Sequence, residues 1–195
     1  METMSTKRTI LVNTGSQIIG KLISGIVSFF TSIILAKSLG LVGYGDYTKI
    51  VSYIAFFYLF CDVGLNAAYV QLTPGDNSSN MKNTLFSLRV FLGLFLFLIA
   101  ILLLLVLPGT RSQGYTSVVK MGIILFAPSI LFQSVITSAN AVFQKFLRYD
   151  YAAVATSVGS IIAFVCIWLS FMIFPPEAHL YAFVVSSLLG ILLTM

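Results

Sequence analysis

Residues 90–107 read VFLGLFLFLIAILLLLVL, with no polar side chain among them, and Pro108-Gly109 follows at once. Eighteen residues of α-helix rise about 27 Å, close to the roughly 30 Å hydrocarbon core of a bilayer. This stretch predicts a membrane span, ended where Pro108 withdraws its backbone donor. The rest of the chain agrees. Of its 195 residues, 58% are hydrophobic and 9% are charged, with a mean hydropathy of +1.01. A soluble domain solvates its surface with roughly a quarter of its residues charged. A chain this apolar meets lipid over most of its area.

Windows of about 20 mostly apolar residues place spans near Ile10–Ala36, Gly45–Val70, Thr84–Leu107, Val118–Val142, Tyr151–Phe174 and His179–Met195. The predicted fold class is therefore all-α: a polytopic membrane helical bundle of about six transmembrane helices, with residues 1–195 in one bundle. The run from Ile10 is too long for a signal h-region and has no small-residue cleavage site, so it reads as a retained span. The connections are short. Lys37–Tyr44 is a Gly-rich turn, Gln71–Asn83 carries Pro74-Gly75-Asp76-Asn77, and Pro175-Pro176 ends the fifth span. None can hold a soluble catalytic domain. The last span reaches Met195 without a polar tail, which reads as an incomplete chain.

The net charge of +5 comes from 11 basic and 6 acidic residues. A nucleic-acid surface needs clustered Lys and Arg on a wet face, whereas here they stand singly or in pairs at the edges of apolar runs. That is the pattern of the positive-inside rule. With the N-terminus in the cytoplasm, Lys7, Arg8, Lys82, Lys145 and Arg148 fall inside, and Lys37, Arg111 and Lys120 outside. That bias places the N-terminus in the cytoplasm.

Polar residues within the spans cost most, so they carry the functional reading. Lys21 lies near the middle of the first span, where a Lys costs about 2.5–3.5 kcal/mol on insertion scales. Asn13, Gln17, Lys21, Ser24, Ser28 and Ser32 recur every three to four residues on one helix face. The opposite face carries Ile19, Leu22, Ile26, Phe30 and Ile33. The polar stripe is expected to face the bundle interior, with Lys21 either lining a polar pathway or paired internally with Asp62 of the second span. The serines, with Gly20, also make a small-residue ladder suited to close helix packing. Asn66 follows Asp62 one turn later. Arg89, near one end of the third span, has two readings, a buried partner or a side chain snorkelling to the headgroups. Lys49 and Lys120 are expected to snorkel. The fourth span repeats the stripe with Gln133, Thr137, Asn140 and Gln144, and Pro128 interrupts its ladder. Two striped helices in one bundle suggest a hydrated groove, lined by neutral hydrogen-bonding groups suited to a polar or sugar-like cargo.

Catalysis finds no candidates. There is no phosphate-binding Gly loop, no Ser-His-Asp set and no metal-ligand spacing, so no catalytic residue, metal or cofactor is expected. Cys61 and Cys166 fall in apolar runs as buried fillers, and His179, the only histidine, sits beside Pro175-Pro176.

The stretch Gly20–Tyr47, GKLISGIVSFFTSIILAKSLGLVGYGDY, resembles the N-terminal signature of polysaccharide and O-antigen flippases of the multidrug/oligosaccharidyl-lipid/polysaccharide exporter superfamily. The matching features are Gly20-Lys21, Leu35-Ala36-Lys37, Leu39-Gly40 and Gly43-Tyr44-Gly45-Asp46-Tyr47. CDVGLNAAYV (Cys61–Val70) resembles the family's Asp-x-Gly-Leu, and Arg89 falls where members often carry Arg. The likeness covers about the first 90 residues well and the remainder as a hydropathy pattern. Two features depart from it. Members usually carry Arg where this chain has Lys21, which keeps the charge and loses the bidentate fork. Members also have 12–14 spans in two related bundles, so this chain would be the N-terminal half.

The resemblance implies transport by alternating access of an undecaprenyl-pyrophosphate-linked oligosaccharide across the bacterial inner (plasma) membrane. The implied partners are that lipid-linked oligosaccharide, membrane lipids and the polysaccharide polymerase and export machinery, with no nucleic acid. The implied cavity residues are Lys21, Lys37, Asp62, Arg89, Gln17, Ser24, Gln133 and Asn140, the basic ones offsetting pyrophosphate charge and Asp62 holding Lys21 or Arg89. The rival readings are a drug or metabolite exporter of the same superfamily, expected to have a net acidic cavity, and a non-transporting scaffold or truncated remnant. A membrane glycosyltransferase would need a large catalytic loop.

Overall fold

A computed structural model describes residues 2–62, 64–72, 79–109, 114–146 and 148–195. The turn residues Pro74-Gly75-Asp76-Asn77, Arg111, and the side chains of Lys7 and Arg8 lie outside the described residues. The described backbone is helical: α1 (Glu2–Tyr58), α2 (Leu65–Leu72), α3 (Ser79–Val106), α4 (Ser117–Phe126), α5 (Ser129–Lys145), α6 (Tyr149–Ile173) and α7 (His179–Leu192). The chain is an all-α membrane bundle. Its periphery is as apolar as its core, with Phe91, Leu98, Leu105, Met172 and Ile173 turned outward.

A straight helix of 57 residues would be about 85 Å long, far more than one bilayer crossing. Gly40 divides it, with φ 65° and ψ −173°, a backbone region that is essentially glycine-only. Residues 2–39 and 41–58 are two limbs. Lys21 of the first and Asn66, just beyond the second, line the same groove, so the chain doubles back between them. The turn expected over Lys37–Tyr44 is thus confined to one residue, and helix continues on both sides of it.

The second span differs from its expected form. Instead of one helix over Gly45–Val70, α1 ends at Tyr58, Leu59–Cys61 forms a tight turn, and α2 restarts at Leu65. Gly64, at φ 77°, makes the break, and the Asp62 carbonyl accepts from Leu65 N at 2.8 Å. In the fourth span Ala127-Pro128 separates α4 from α5, as the missing proline donor requires. Tyr58 Oη donates to Ser129 Oγ at 2.6 Å beside this break.

The main core joins Ile50, Ile54 and Phe57 of α1 to Ala100 of α3, Ile123 of α4 and Val184 of α7. The first limb of α1 packs along α6 through small residues: a Cβ on Gly20 would lie 3.0 Å from that of Ala153, and Ser24 Oγ lies 3.3 Å from Ser160 Oγ. Ser170 and Ser186 meet at 3.1 Å between α6 and α7. Small residues let backbones close in where lipid gives helices no hydrophobic drive to associate.

The kinked end is braced by His179. Its Nε2 is 2.8 Å from the Phe174 carbonyl, which can only accept. In the neutral ring Nδ1 then accepts from Ser38 Oγ, 2.8 Å away. At the same end Lys49 donates to Asp46 at 2.9 Å and to the Gly114 carbonyl at 3.4 Å. Lys120 donates to the Leu107 carbonyl at 3.0 Å. Both lysines thus bond loop and helix-end carbonyls.

Candidate functional site

At the opposite end a groove of ≈ 500 Å³ opens between the first limb of α1, α2, α5 and α6. Gln17, Lys21 and Ser24 enter it from α1, Asn66 from α2, Asn140 and Gln144 from α5, and Tyr149 and Thr156 from α6. The helical period explains the α1 set, since positions 17, 21 and 24 share a face. On α5, positions 140 and 144 are one turn apart. Among the described residues Lys21 is the one charged side chain in this lining. An ammonium among amide, hydroxyl and phenol groups can meet an anion and then hydrogen-bond a polyhydroxylated neighbour.

Next to the groove lies a charge cluster built on a buried arginine. Arg89 of α3 is 0% exposed, and its Nη2 donates to Asp62 Oδ1 at 2.9 Å and to Asn66 Oδ1 at 2.6 Å. Asn66 closes the triangle, giving its side-chain amide to Asp62 Oδ2 at 3.2 Å and its backbone N–H to Oδ1 at 3.3 Å. The helix break at Gly64 makes this possible. Asp62 lies before it and caps the start of α2, as an acidic residue does at a helix N-terminus. Asn66 thereby belongs to both cluster and groove. Arg89 Nε and Nη1 are buried with no hydrogen-bond partner among the described residues, so the guanidinium depends on Asp62 and Asn66.

The expected site residues divide accordingly. Gln17, Lys21, Ser24 and Asn140 meet in the groove. Asp62 pairs with Arg89 rather than with Lys21, and Arg89 is inside the protein, so the snorkelling reading of Arg89 does not hold. The reason is geometric: once Gly64 turns the chain, Asp62 faces α3. Lys37 is exposed and stands 16 positions, about 24 Å of helix, from Lys21, outside the groove. Gln133 also lies outside its lining, and its carbonyl accepts from Thr137 at 2.7 Å. The polar stripe of α1 is only partly internal: Asn13 is buried, whereas Ser28 and Ser32 are exposed. Ile26, Phe30 and Ile33 on the other face are exposed as well, because the middle of this limb stands out from the bundle. Asn66, Gln144, Tyr149 and Thr156 complete the polar part of the lining. Asn66 and Gln144 were visible as polar positions within or beside spans, while Tyr149 and Thr156 gave no periodic signal in an apolar α6.

The membrane bundle thus carries a polar groove beside the Asp62–Arg89 pair. No curated protein and no solved structure matches the chain. A family model described as polysaccharide biosynthesis protein matches residues 10–195, nearly the whole chain, and the chain belongs to that family.

Proposed function

We propose that this chain is one bundle of an exporter that flips a polyprenyl-pyrophosphate-linked oligosaccharide from the cytoplasmic to the outer leaflet of a bacterial inner membrane, for assembly of cell-surface polysaccharide. The observation that carries the reading is the groove, with Lys21 as the charged group in a lining of neutral hydrogen-bonding side chains. A pyrophosphate entering a low-dielectric site needs a cation, and Lys21 supplies it. Gln17, Ser24, Asn66, Asn140 and Gln144 replace the water around the first sugars, while the polyprenyl tail stays in lipid. Arg89, its charge offset by Asp62, holds Asn66 in place at the groove wall. In this reading the N-terminus is cytoplasmic and the groove end faces the cytoplasm.

The exposed Ser28 and Ser32 face is the side on which we place a second bundle, the N-terminal-half reading of this chain. Rocking between the bundles then changes which leaflet the groove meets. The partners are the lipid-linked oligosaccharide, membrane lipids and the polymerase that consumes the flipped product. The reaction is transport, with no bond made or broken in the groove. A cationic drug as cargo is disfavoured by the charge of Lys21.

The test is complementation of a strain lacking the full-length exporter, with membrane abundance of each variant checked by immunoblot. Loss of a hydrogen-bonded charge costs about 1.5–3 kcal/mol, so Lys21→Gln is expected to lower surface polysaccharide about ten- to a hundredfold and to accumulate lipid-linked precursor inside. Lys21→Arg is expected to retain most export. Undiminished export by Lys21→Gln and Lys21→Ala would remove the pyrophosphate role.

A further inference from the structure

Asn66 belongs to two structures at once. Its Oδ1 accepts from Arg89 Nη2 at 2.6 Å, and its side-chain amide donates to Asp62 Oδ2 at 3.2 Å. The same residue borders the groove. Gly64 stands between Asp62 and Asn66 at φ 77°, and nothing lies within 4 Å of where its Cβ would be. The chain before Gly64 is fixed. Phe57 and Cys61 sit in the main core with Ile130, and Tyr58 is bonded to Ser129. The chain after it is α2, eight residues long. Among the described side chains of α2, Tyr69 alone is fully buried, in a small separate cluster with Leu85 and Ala141.

A helix of two turns is too short to be stable by itself, so α2 takes its position from that small cluster and from Asn66. Gly64 is the residue type that rotates at least steric cost. Rotation there leaves the 2.9 Å bond between Arg89 and Asp62 intact, because both residues lie on the core side of the joint. It parts Asn66 from both of them. The side-chain bonds of Asn66 therefore act as a catch, and a ligand that hydrogen-bonds the same carboxamide competes with them. Such competition gives the two positions of α2 different affinities for the ligand, which is what a shift between them requires. The facing wall of α1 and α6 is closely packed, with a Cβ on Gly20 lying 3.0 Å from that of Ala153.

We infer that α2 is a hinged wall of the groove, pivoting at Gly64 and held shut by Asn66, and that cargo engaging the Asn66 carboxamide releases it. The release rests on the proposed reading of the groove as the cargo site; the hinge does not.

The test uses the whole protein in liposomes, with Cys61 and Cys166 replaced by alanine. Nitroxide labels are placed on Ala67→Cys and Val158→Cys, exposed positions on α2 and α6, and their separation is measured by double electron–electron resonance. Without ligand, one distance is expected. Asn66→Ala should add a second, longer distance, its share rising about ten- to a hundredfold, as loss of a hydrogen bond to a charged group implies. With the first label moved to Leu59→Cys, on the core side of Gly64, Asn66→Ala should leave a single distance. An unchanged distance from Ala67→Cys in Asn66→Ala would overturn the hinge, because packing alone would then hold α2. Broadening from Leu59→Cys would overturn it too, because the whole bundle would then be loosened. An undecaprenyl-pyrophosphate-linked hexose, added to the protein with Asn66 intact, should bring up the same longer distance. No shift with this cargo, beside a hinge that opens in Asn66→Ala, would overturn release by cargo, and the export test of Lys21 would then judge the cargo itself.

Discussion

Arg89 shows what a single charged side chain demands of a membrane protein. Its guanidinium is wholly buried, and one nitrogen, Nη2, makes both of its hydrogen bonds among the described residues, to Asp62 and to Asn66. Removing one member of a buried pair costs about 3–5 kcal/mol because the other charge is left uncompensated. Asp62 keeps 45% side-chain exposure, so water screens part of that cost, and about 2 kcal/mol is expected for Asp62→Leu. Removing both charges is milder. Thermal unfolding in detergent should find Asp62→Leu/Arg89→Leu more stable than Asp62→Leu alone, with a coupling of about 1–3 kcal/mol; strict additivity would mean that the two charges act independently. The residues of this cluster were each visible in the sequence as expensive polar positions, and the pairing of Asp62 with Arg89 was one of two alternatives, the other being Lys21. Lys21 and Arg89 were equally eligible partners for Asp62, and what decides between them is a backbone turn that composition does not encode. The face shared by Gln17, Lys21 and Ser24 was legible, because a helical period within one segment needs no knowledge of the fold.

Among the elements, α1 depends most on one residue. Gly40 holds a conformation that a side chain resists at a cost of about 1–3 kcal/mol, and its alternative is a straight rod too long for the bilayer. Gly40→Ala should therefore lower stability by about that amount and reduce the yield of folded protein. Gly25→Ala is the matched control: it lies within the helix with open space where its Cβ would go, and it should be neutral or stabilising by up to about 1 kcal/mol. Equal behaviour of the two variants would show that the kink is imposed by packing and not by Gly40. The apolar runs foretold α3 and α6 closely, and Pro128 foretold the division of α4 from α5, because hydropathy and a missing donor act locally. The break at Gly64 was not foretold, since a lone glycine is tolerated inside many membrane helices and here it becomes a turn only through Asp62 and its partners.

At the scale of the whole molecule, the two ends differ in chemistry. One end gathers Gly40, the His179 brace and the Lys49 and Lys120 bonds to carbonyls. The other gathers the groove mouth, Lys82, Lys145 and Arg148. Orientation follows from this difference under the proposed reading. In a background with Cys61 and Cys166 replaced, Arg148→Cys should react with a membrane-impermeant maleimide only after the inner membrane is opened, whereas Leu41→Cys, at a position 92% exposed beside the kink, should react in intact spheroplasts. The reverse pattern would invert the bundle and place the groove mouth outside. The basic excess in the sequence is the basis of this proposed orientation. Lys37 lies outside the groove lining because distance along a helix separates residues that a shared charge would group.

The Asp62–Arg89 pair also has an order in time. Translation delivers Asp62 to the membrane 27 residues before Arg89. When α3 leaves the ribosome its arginine therefore meets a bilayer in which the counter-ion is already in place. The long apolar run after it, residues 90–107, pulls the segment inward while Arg89 resists. An acid that arrived second would leave the cation stranded at the moment of insertion. In that order the arginine of this pair follows its counter-ion into the bilayer.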